Sequence, residues 1–143
     1  MMIELAPNLF ETDLKRAVDF GHSISPQLEA ESHYTIAHGE AVAVDMLLCT
    51  AIAAKRGLCE PSLFDRMLRM YRLCGLPCND ELCTAAFLRH ALTDVTAHRG
   101  GNLNLLVPIE PGRYEFLQDV TEADLRFAVD AVNAQAIPVV EAG

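Results

Sequence analysis

Two histidines of this sequence stand beside glycines in segments that lead into helices. His22 follows Gly21, and His38 precedes Gly39 at the start of a long apolar run. Neutral imidazole is a common ligand for divalent metals, and a catalytic site typically takes three protein ligands and leaves one position open for substrate. The pair could therefore supply two of three ligands. On spacing alone, satisfied or surface histidines explain it better, because any protein with five histidines offers such pairs.

The elements that must position these histidines are helices. Ser25 and Pro26 form a helix start, because a serine hydroxyl can cap free backbone amides and proline at the first helical position loses no hydrogen bond. The pattern predicts a short helix over 25–31. The run over 39–56 is apolar on almost every face apart from Asp45, and a glycine suited to a left-handed cap follows it. It predicts a central, buried helix.

Three more helices are expected further along the chain. The first is amphipathic and lies on the surface, the second runs through about Leu92, and the third opens on a capping box. Their predicted N-terminal residues are Pro61 for the first, Asn79 and Asp80 for the second, and Thr121 with Asp124 for the third.

Two short alternating segments and one weak helical pattern complete the reading. Residues 102–107 and 113–117 predict two strands, and the prolines and glycine between them predict the link of a small hairpin. A short helical pattern is expected around 12–18. The expected fold class is mainly α, with one small β-hairpin near residues 102–117. The whole chain, 1–143, is expected to form a single helical domain that binds metal and substrate.

Composition excludes several functional classes. The 143 residues are 51% hydrophobic, enough for one core. A net charge of -9 and a pI near 4.9 disfavour nucleic acid and anionic membranes as partners. No unbroken apolar stretch is long enough to span a bilayer and no signal-peptide pattern begins the chain, so we expect a cytoplasmic protein with five reduced cysteines.

Two motifs carry a family resemblance. The segments DFGHSISPQLE, over 19–29, and AHGEAVAVDM, over 37–46, resemble the NFGHTxGHAxE and LHGEAV motifs of dehydroquinate synthase and its sugar-phosphate cyclase relatives, with the family's spacing between the histidines. The resemblance implies the helical C-terminal domain of that fold, with His22 and His38 as ligands of Zn²⁺ or Co²⁺. Glu40 is a candidate to orient the second ligand, although a carboxylate capping the helix start explains it equally well.

Departures from dehydroquinate synthase resemble one branch of the superfamily. Asp19 stands where that enzyme has asparagine, and Pro26 where it has the second histidine of its first motif. Together with PNLFETDLKR before and HRGG after, these features are similar to the 2-epi-5-epi-valiolone synthase branch. The resemblance runs from about residue 5 to about residue 134. It implies conversion of sedoheptulose 7-phosphate to a valiolone-type cyclitol with loss of phosphate.

The resemblance also implies a set of substrate-binding residues. Lys15 lies where the family carries a phosphate-contacting arginine, and Arg16 is adjacent, so either cation could hold the substrate phosphate. His98 and Arg99 align with a region that supplies a cation to the substrate, and Asp19 belongs to the same set. Solvated charges on a helix or a loop explain the four cations equally well.

The family's other half has no counterpart in this sequence. Family members carry an N-terminal NAD-binding domain with the third metal ligand, a glutamate, and a catalytic lysine, and no dinucleotide-binding glycine loop is found here. We therefore expect no NAD-binding residues in this chain, no activity alone, and an exposed apolar patch. The leading hypothesis is the C-terminal subunit of a split cyclase, paired as a hetero-oligomer with an NAD-binding N-terminal subunit.

Two alternatives stay open. One is a non-catalytic, degenerate cyclase domain that binds a sugar phosphate or stabilises a partner. The turn PIEPGRY, which departs from the family's PxGIG-like turn, favours this alternative mildly, while the retained histidine pair argues against it. The other is a fragment of an ordinary full-length enzyme.

Overall fold

The computed structural model describes residues 16–138, in which five α-helices and one β-hairpin follow a short 3-10 turn at Ala17–Asp19. The helical pattern expected around 12–18 therefore lies mostly outside the described residues, and so does Lys15. The elements are α1 (Ser25–Glu31), α2 (His38–Lys55), α3 (Pro61–Cys74), α4 (Ala85–His98), β1 (Leu105–Glu110), β2 (Arg113–Leu117) and α5 (Glu122–Ala134). The expected fold class, mainly α with a small hairpin, is confirmed.

Helix α2 is the centre of the fold, as its uniform hydrophobicity predicts. It packs against α1, α3, α5 and β1, and a helix that is apolar all round must be enclosed in this way. Its side chains at Val44, Leu47 and Ile52 are fully buried. Gly57 has a φ of +69° just beyond the helix, in the left-handed cap expected from the sequence. Helices α1, α3 and α5 rest directly on α2, so α2 holds the surrounding elements in place.

Helix α3 is amphipathic, as expected. Phe64, Leu68 and Tyr71 face the core, while Met70 and Leu73 remain exposed. The Tyr71 hydroxyl donates a 2.8 Å hydrogen bond to the carbonyl of Ala43 on α2. This bond satisfies the polar tip of a buried aromatic ring and joins α3 to the central helix.

The prediction of a helix from Asn79 to Leu92 is wrong at both ends. Asp80 accepts a 2.9 Å hydrogen bond from the amide of Leu82, which folds this stretch into a local turn. Helix α4 begins at Ala85 instead, where the hydroxyl of Thr84 accepts from the amide of Phe87. It continues to His98 and stops before two glycines with positive φ.

The hairpin and the last helix close the fold over α2. Strands β1 and β2 pair antiparallel, from Leu105 opposite Leu117 to Glu110 opposite Arg113. The first strand begins at 105, three residues later than expected. The capping box of α5 is confirmed: Thr121 and Asp124 exchange side chain to backbone hydrogen bonds. Within residues 16–138, no helix has the length and hydrophobicity needed to cross a membrane.

Candidate functional site

The two motif histidines meet at the N-terminal end of α2. His38 is the first residue of that helix, and His22 lies in the turn between the 3-10 turn and α1. Their ring centroids are 5.4 Å apart, with the ring planes inclined at 56°. For Zn–N bonds of about 2.1 Å, each ring centroid lies roughly 3.2 Å from the metal, so two tetrahedral ligands have centroids about 5.3 Å apart. The separation of the two rings therefore matches that of two ligands on one zinc ion.

Hydrogen bonds orient both rings for that task. Nδ1 of His22 lies 3.1 Å from the carbonyl oxygen of Phe20, and Nδ1 of His38 lies 2.7 Å from Oε1 of Glu29. A carbonyl or carboxylate oxygen accepts, so each Nδ1 donates and, in the neutral ring, each Nε2 keeps its lone pair. Metal-binding histidines in proteins almost always have such a partner.

Glu29, rather than Glu40, orients the second histidine. The carboxylate of Glu40 accepts a 3.1 Å hydrogen bond from the amide of Ala37 and so takes the capping alternative. Sequence reasoning gave Glu29 no role, although it closes the first motif. The available signal was an acidic residue at the end of the first motif, on the helix that precedes the one His38 begins.

A charged cluster adjoins His22. The carboxylate of Asp19 is buried and receives Nη2 of Arg16 at 2.8 Å and Nε of Arg16 at 3.2 Å. Nη1 of Arg99, brought in from beyond the end of α4, lies 3.3 Å from the same carboxylate. The backbone of Asp19 also accepts from the amide of His22 at 2.9 Å. Two guanidinium groups therefore converge on one buried carboxylate next to His22.

His98, another predicted substrate residue, makes no described hydrogen bond or ion pair with this cluster. His98, the last residue of α4, is exposed, and the structure gives it no hydrogen bond within residues 16–138. Lys15 precedes the described part of the chain. Of the five predicted substrate residues, the structure groups three: Arg16, Asp19 and Arg99.

Another acidic residue lies beneath the site. Asp45, on α2, is fully buried, and its Oδ2 accepts from the amides of Ser23, Ile24 and Ser25 at 3.0, 2.6 and 2.9 Å. Burial raises the pKa of Asp45, and these hydrogen bonds oppose the rise. The sequence singled Asp45 out only as the exception in a run that is apolar on almost every face. That isolation was itself the signal of a buried polar contact.

An apolar groove opens beside α3 and the hairpin. It encloses about 510 Å³ between α3, the hairpin and the 3-10 turn. Phe20, Met67, Met70 and Tyr114 are among its lining residues, and Met70 and Tyr114 are partly exposed. Its surface agrees with the exposed apolar patch expected from the sequence. Neither motif histidine lines it.

A catalytic zinc ion held by the histidine pair would need a further ligand. Within residues 16–138, no set of three or more histidine, cysteine, aspartate or glutamate side chains is placed to hold one ion. Zinc in catalytic sites usually takes three protein ligands. The histidine pair could thus supply two of the three protein ligands of a catalytic zinc site.

Comparison with known proteins connects this geometry to a family. Residues 4–96 match the family model for the 3-dehydroquinate synthase C-terminal domain. Two curated relatives, both 2-epi-5-epi-valiolone synthases, are 42% identical. One, from Actinomyces sp., aligns over 93% of this chain and 35% of its own length. The other, from Actinoplanes sp., aligns over 90% of this chain and 32% of its own length.

A solved structure has the same fold. The 2-epi-5-epi-valiolone synthase ValA of Streptomyces hygroscopicus subsp. jinggangensis 5008, with NAD⁺ and Zn²⁺ bound, is 38% identical with a TM-score of 0.89. The match covers 94% of this chain and 38% of that one. The chain spans about a third of the length of the curated relatives that it matches. The resemblance drawn from the two motifs is therefore confirmed.

Proposed function

This chain belongs to the 3-dehydroquinate synthase C-terminal domain family, and we propose that it supplies the metal- and substrate-binding half of a sugar-phosphate cyclase. The observation that carries the proposal is the pair His22 and His38, whose rings are spaced for one zinc ion and whose Nδ1 atoms are both engaged. Zn²⁺ or Co²⁺ is the proposed metal. The zinc bound by the related synthase ValA supports this choice.

The proposed reaction converts sedoheptulose 7-phosphate to a valiolone-type cyclitol with loss of phosphate. Support comes from the relatives that are named 2-epi-5-epi-valiolone synthases. It also comes from the two guanidinium groups that converge on Asp19 beside the histidine pair, since guanidinium groups bind phosphate oxygens well. Arg16 and Arg99 would hold the substrate phosphate, and Asp19 would keep both guanidinium groups in place. Lys15 and His98 remain proposed members of this binding set.

The chain's own residues bind and orient in this scheme. His22 and His38 would hold the metal through Nε2, while Phe20 and Glu29 keep the two rings from turning. When bound, the metal would polarise a substrate oxygen and NAD would carry the hydride. The arginine cluster would fix the phosphate end of the substrate beside the histidines, which lowers the entropic cost of reaching the reactive geometry.

The remaining parts are proposed to come from an NAD-binding partner. Within residues 16–138 no third acidic, histidine or cysteine side chain joins the histidine pair. The proposal therefore assigns the third metal ligand and the dinucleotide site to another chain, and this chain is proposed to be inactive alone. We place these parts on an N-terminal cyclase subunit that joins this chain in a hetero-oligomer. A cytoplasmic location is proposed for the complex, in keeping with five free cysteines.

The test is reconstitution. This chain is co-expressed with the NAD-binding half encoded nearest to it, and the purified complex is assayed for phosphate release from sedoheptulose 7-phosphate with Zn²⁺ or Co²⁺. Turnover is expected, with a loss of at least about 10³-fold in His22→Ala or His38→Ala. The matched control is His90→Ala, an exposed histidine of α4 that should retain activity.

Two results would count against the proposal. A stable complex without turnover would favour the alternative of a non-catalytic binding domain. Turnover that survives loss of either motif histidine would remove the proposed metal site from the mechanism.

A further inference from the structure

The turn that carries His22 rests on α2 through one buried carboxylate. A single oxygen of Asp45 accepts from three successive amides, those of Ser23, Ile24 and Ser25. Its other oxygen accepts from the thiol of Cys49 at 3.2 Å. The amide of Ser25 opens α1, and the amides of Ser23 and Ile24 directly precede it. The residue before the helix is Ile24, whose side chain has no hydrogen-bond acceptor for them. Asp45 therefore satisfies, from a neighbouring helix, three successive amides at the entrance to α1.

A close backbone approach seats the same turn. Gly21 has a φ of +80°, and a Cβ added there would lie 2.7 Å from Cγ of Met46 and 2.8 Å from Cγ1 of Val42. Only glycine fits, because the turn lies directly against α2. The hydroxyl of Ser25 closes the turn with a 2.7 Å bond to the carbonyl of Gly21.

One stripe of α2 holds both sides of the metal pair. Val42, Asp45 and Met46 follow His38 at intervals of four, seven and eight residues, which places them on one helix face. His38 is the first residue of this stripe, and the other three residues seat the turn that carries His22. The position of one ligand relative to the other is therefore set by a single rigid element.

We propose that Asp45 is a positioning residue, which fixes the His22 turn to α2 and so preorganises the histidine pair for metal before any other ligand joins it. The inference rests on the proposed function for the identity of the metal. It assigns Asp45 no contact with metal or substrate. Its effect passes through the backbone of residues 22–25.

The test compares two buried carboxylates on the full chain, without partner or substrate. Zn²⁺ is titrated by calorimetry into wild type, Asp45→Asn and Asp124→Asn, all below their unfolding temperatures. Asp124 is the matched control, because it is equally buried but contacts the opposite end of α2. His22→Ala identifies binding that depends on the pair.

The expected result is a difference between the two variants. Wild type binds Zn²⁺, His22→Ala does not, and Asp45→Asn binds about tenfold more weakly, the size of effect typical of residues that orient metal ligands. Asp124→Asn melts about 5 °C lower yet keeps the wild-type affinity. Asp45→Asn with wild-type affinity, an equal loss in Asp124→Asn, or a wild type that binds no zinc would overturn the proposal.

A measurement on wild type alone covers the case in which Asp45→Asn does not fold. The amides of residues 23–25 should exchange with deuterium at least about 100-fold more slowly than an unprotected chain, since Asp45 holds all three. Fast exchange there would overturn the proposal. Because neither experiment uses the partner, a chain that binds zinc but never turns over in the complex refutes the proposed function and leaves this inference standing.

Discussion

The polar side chains at the two ends of α2 differ in how completely they are paired. At the C-terminal end, Nζ of Lys55 lies 2.8 Å and Nη2 of Arg56 lies 2.6 Å from the buried carboxylate of Asp124. At the N-terminal end, His38 is 62% exposed and is held by one hydrogen bond to Glu29. One end completes its polar contacts among described residues, and the other leaves coordinating nitrogens available. We therefore expect substitutions at the C-terminal end to affect stability and substitutions at the N-terminal end to affect metal binding.

At the C-terminal end of α2, which we call the closed end, the carboxyl group of Asp124 is held in its charged form. Burial alone would raise the pKa of Asp124, but hydrogen bonds from Arg56, Lys55 and Thr121 outweigh it and hold that pKa well below its usual range. The same carboxylate also closes the capping box of α5. Asp124 thus joins the end of α2 to the start of α5 and has no role at the metal pair.

The largest expected effect of breaking this contrast is on folding. Asp124→Ala leaves Lys55 and Arg56 without their shared partner and removes a cap, so the free energy of unfolding should fall by about 3 kcal/mol. Urea denaturation measures it, and Zn²⁺ affinity should stay within about twofold of wild type. A loss below about 1 kcal/mol would mean that solvent screens this end of the helix.

At the N-terminal end of α2, which we call the open end, the expected effect is on the affinity for Zn²⁺. Glu29→Ala frees the ring of His38, and Zn²⁺ binding should weaken about tenfold, while the free energy of unfolding changes by less than about 0.5 kcal/mol. Calorimetric titration and urea denaturation measure the two quantities. The control is Glu31→Ala, an exposed carboxylate on the same short helix. Equal weakening in both variants would assign the effect to α1 as a whole.

The smallest expected effect is the acid response of the closed end. A depressed carboxyl pKa stabilises the fold above its unfolded value near 3.8, and this stabilisation is lost as pH falls toward the folded value. The difference in unfolding free energy between wild type and Asp124→Asn should therefore shrink by about 1 kcal/mol from pH 6 to pH 3. Urea midpoints across that range measure it. A constant difference would show that Asp124 does not titrate differently in the two states.

Local sequence signals predicted what local physics decides. The hydrophobicity of α2 on all faces predicted its burial, and the capping box at Thr121 predicted the start of α5. Both signals lie in residues that are neighbours in the sequence. The start of α4 was misplaced because Asp80 had two local uses, and the turn competed with the helix. The motif histidines were found through resemblance.

Contacts between distant segments were the part that pattern could not supply. Glu29 reaches His38 across the turn between two helices, and Arg99 reaches Asp19 from the far end of α4. Asp45 was visible as an anomaly, but its three amide donors follow only from how the His22 turn lies on α2. Such pairings depend on packing, which periodicity does not encode.

The distribution of cysteines gives this chain a chemical reporter of its own. Cys74, at the end of α3, is exposed, whereas Cys49, Cys59, Cys78 and Cys83 are buried. Burial raises the pKa of Cys49, Cys59 and Cys83, and only the thiolate attacks an alkylating reagent. A maleimide dye therefore labels the native chain at one place without engineering, beside the exposed Leu73. Labelling of the four buried thiols would then report unfolding of the core, since the number of dyes bound to each chain rises as those thiols become accessible.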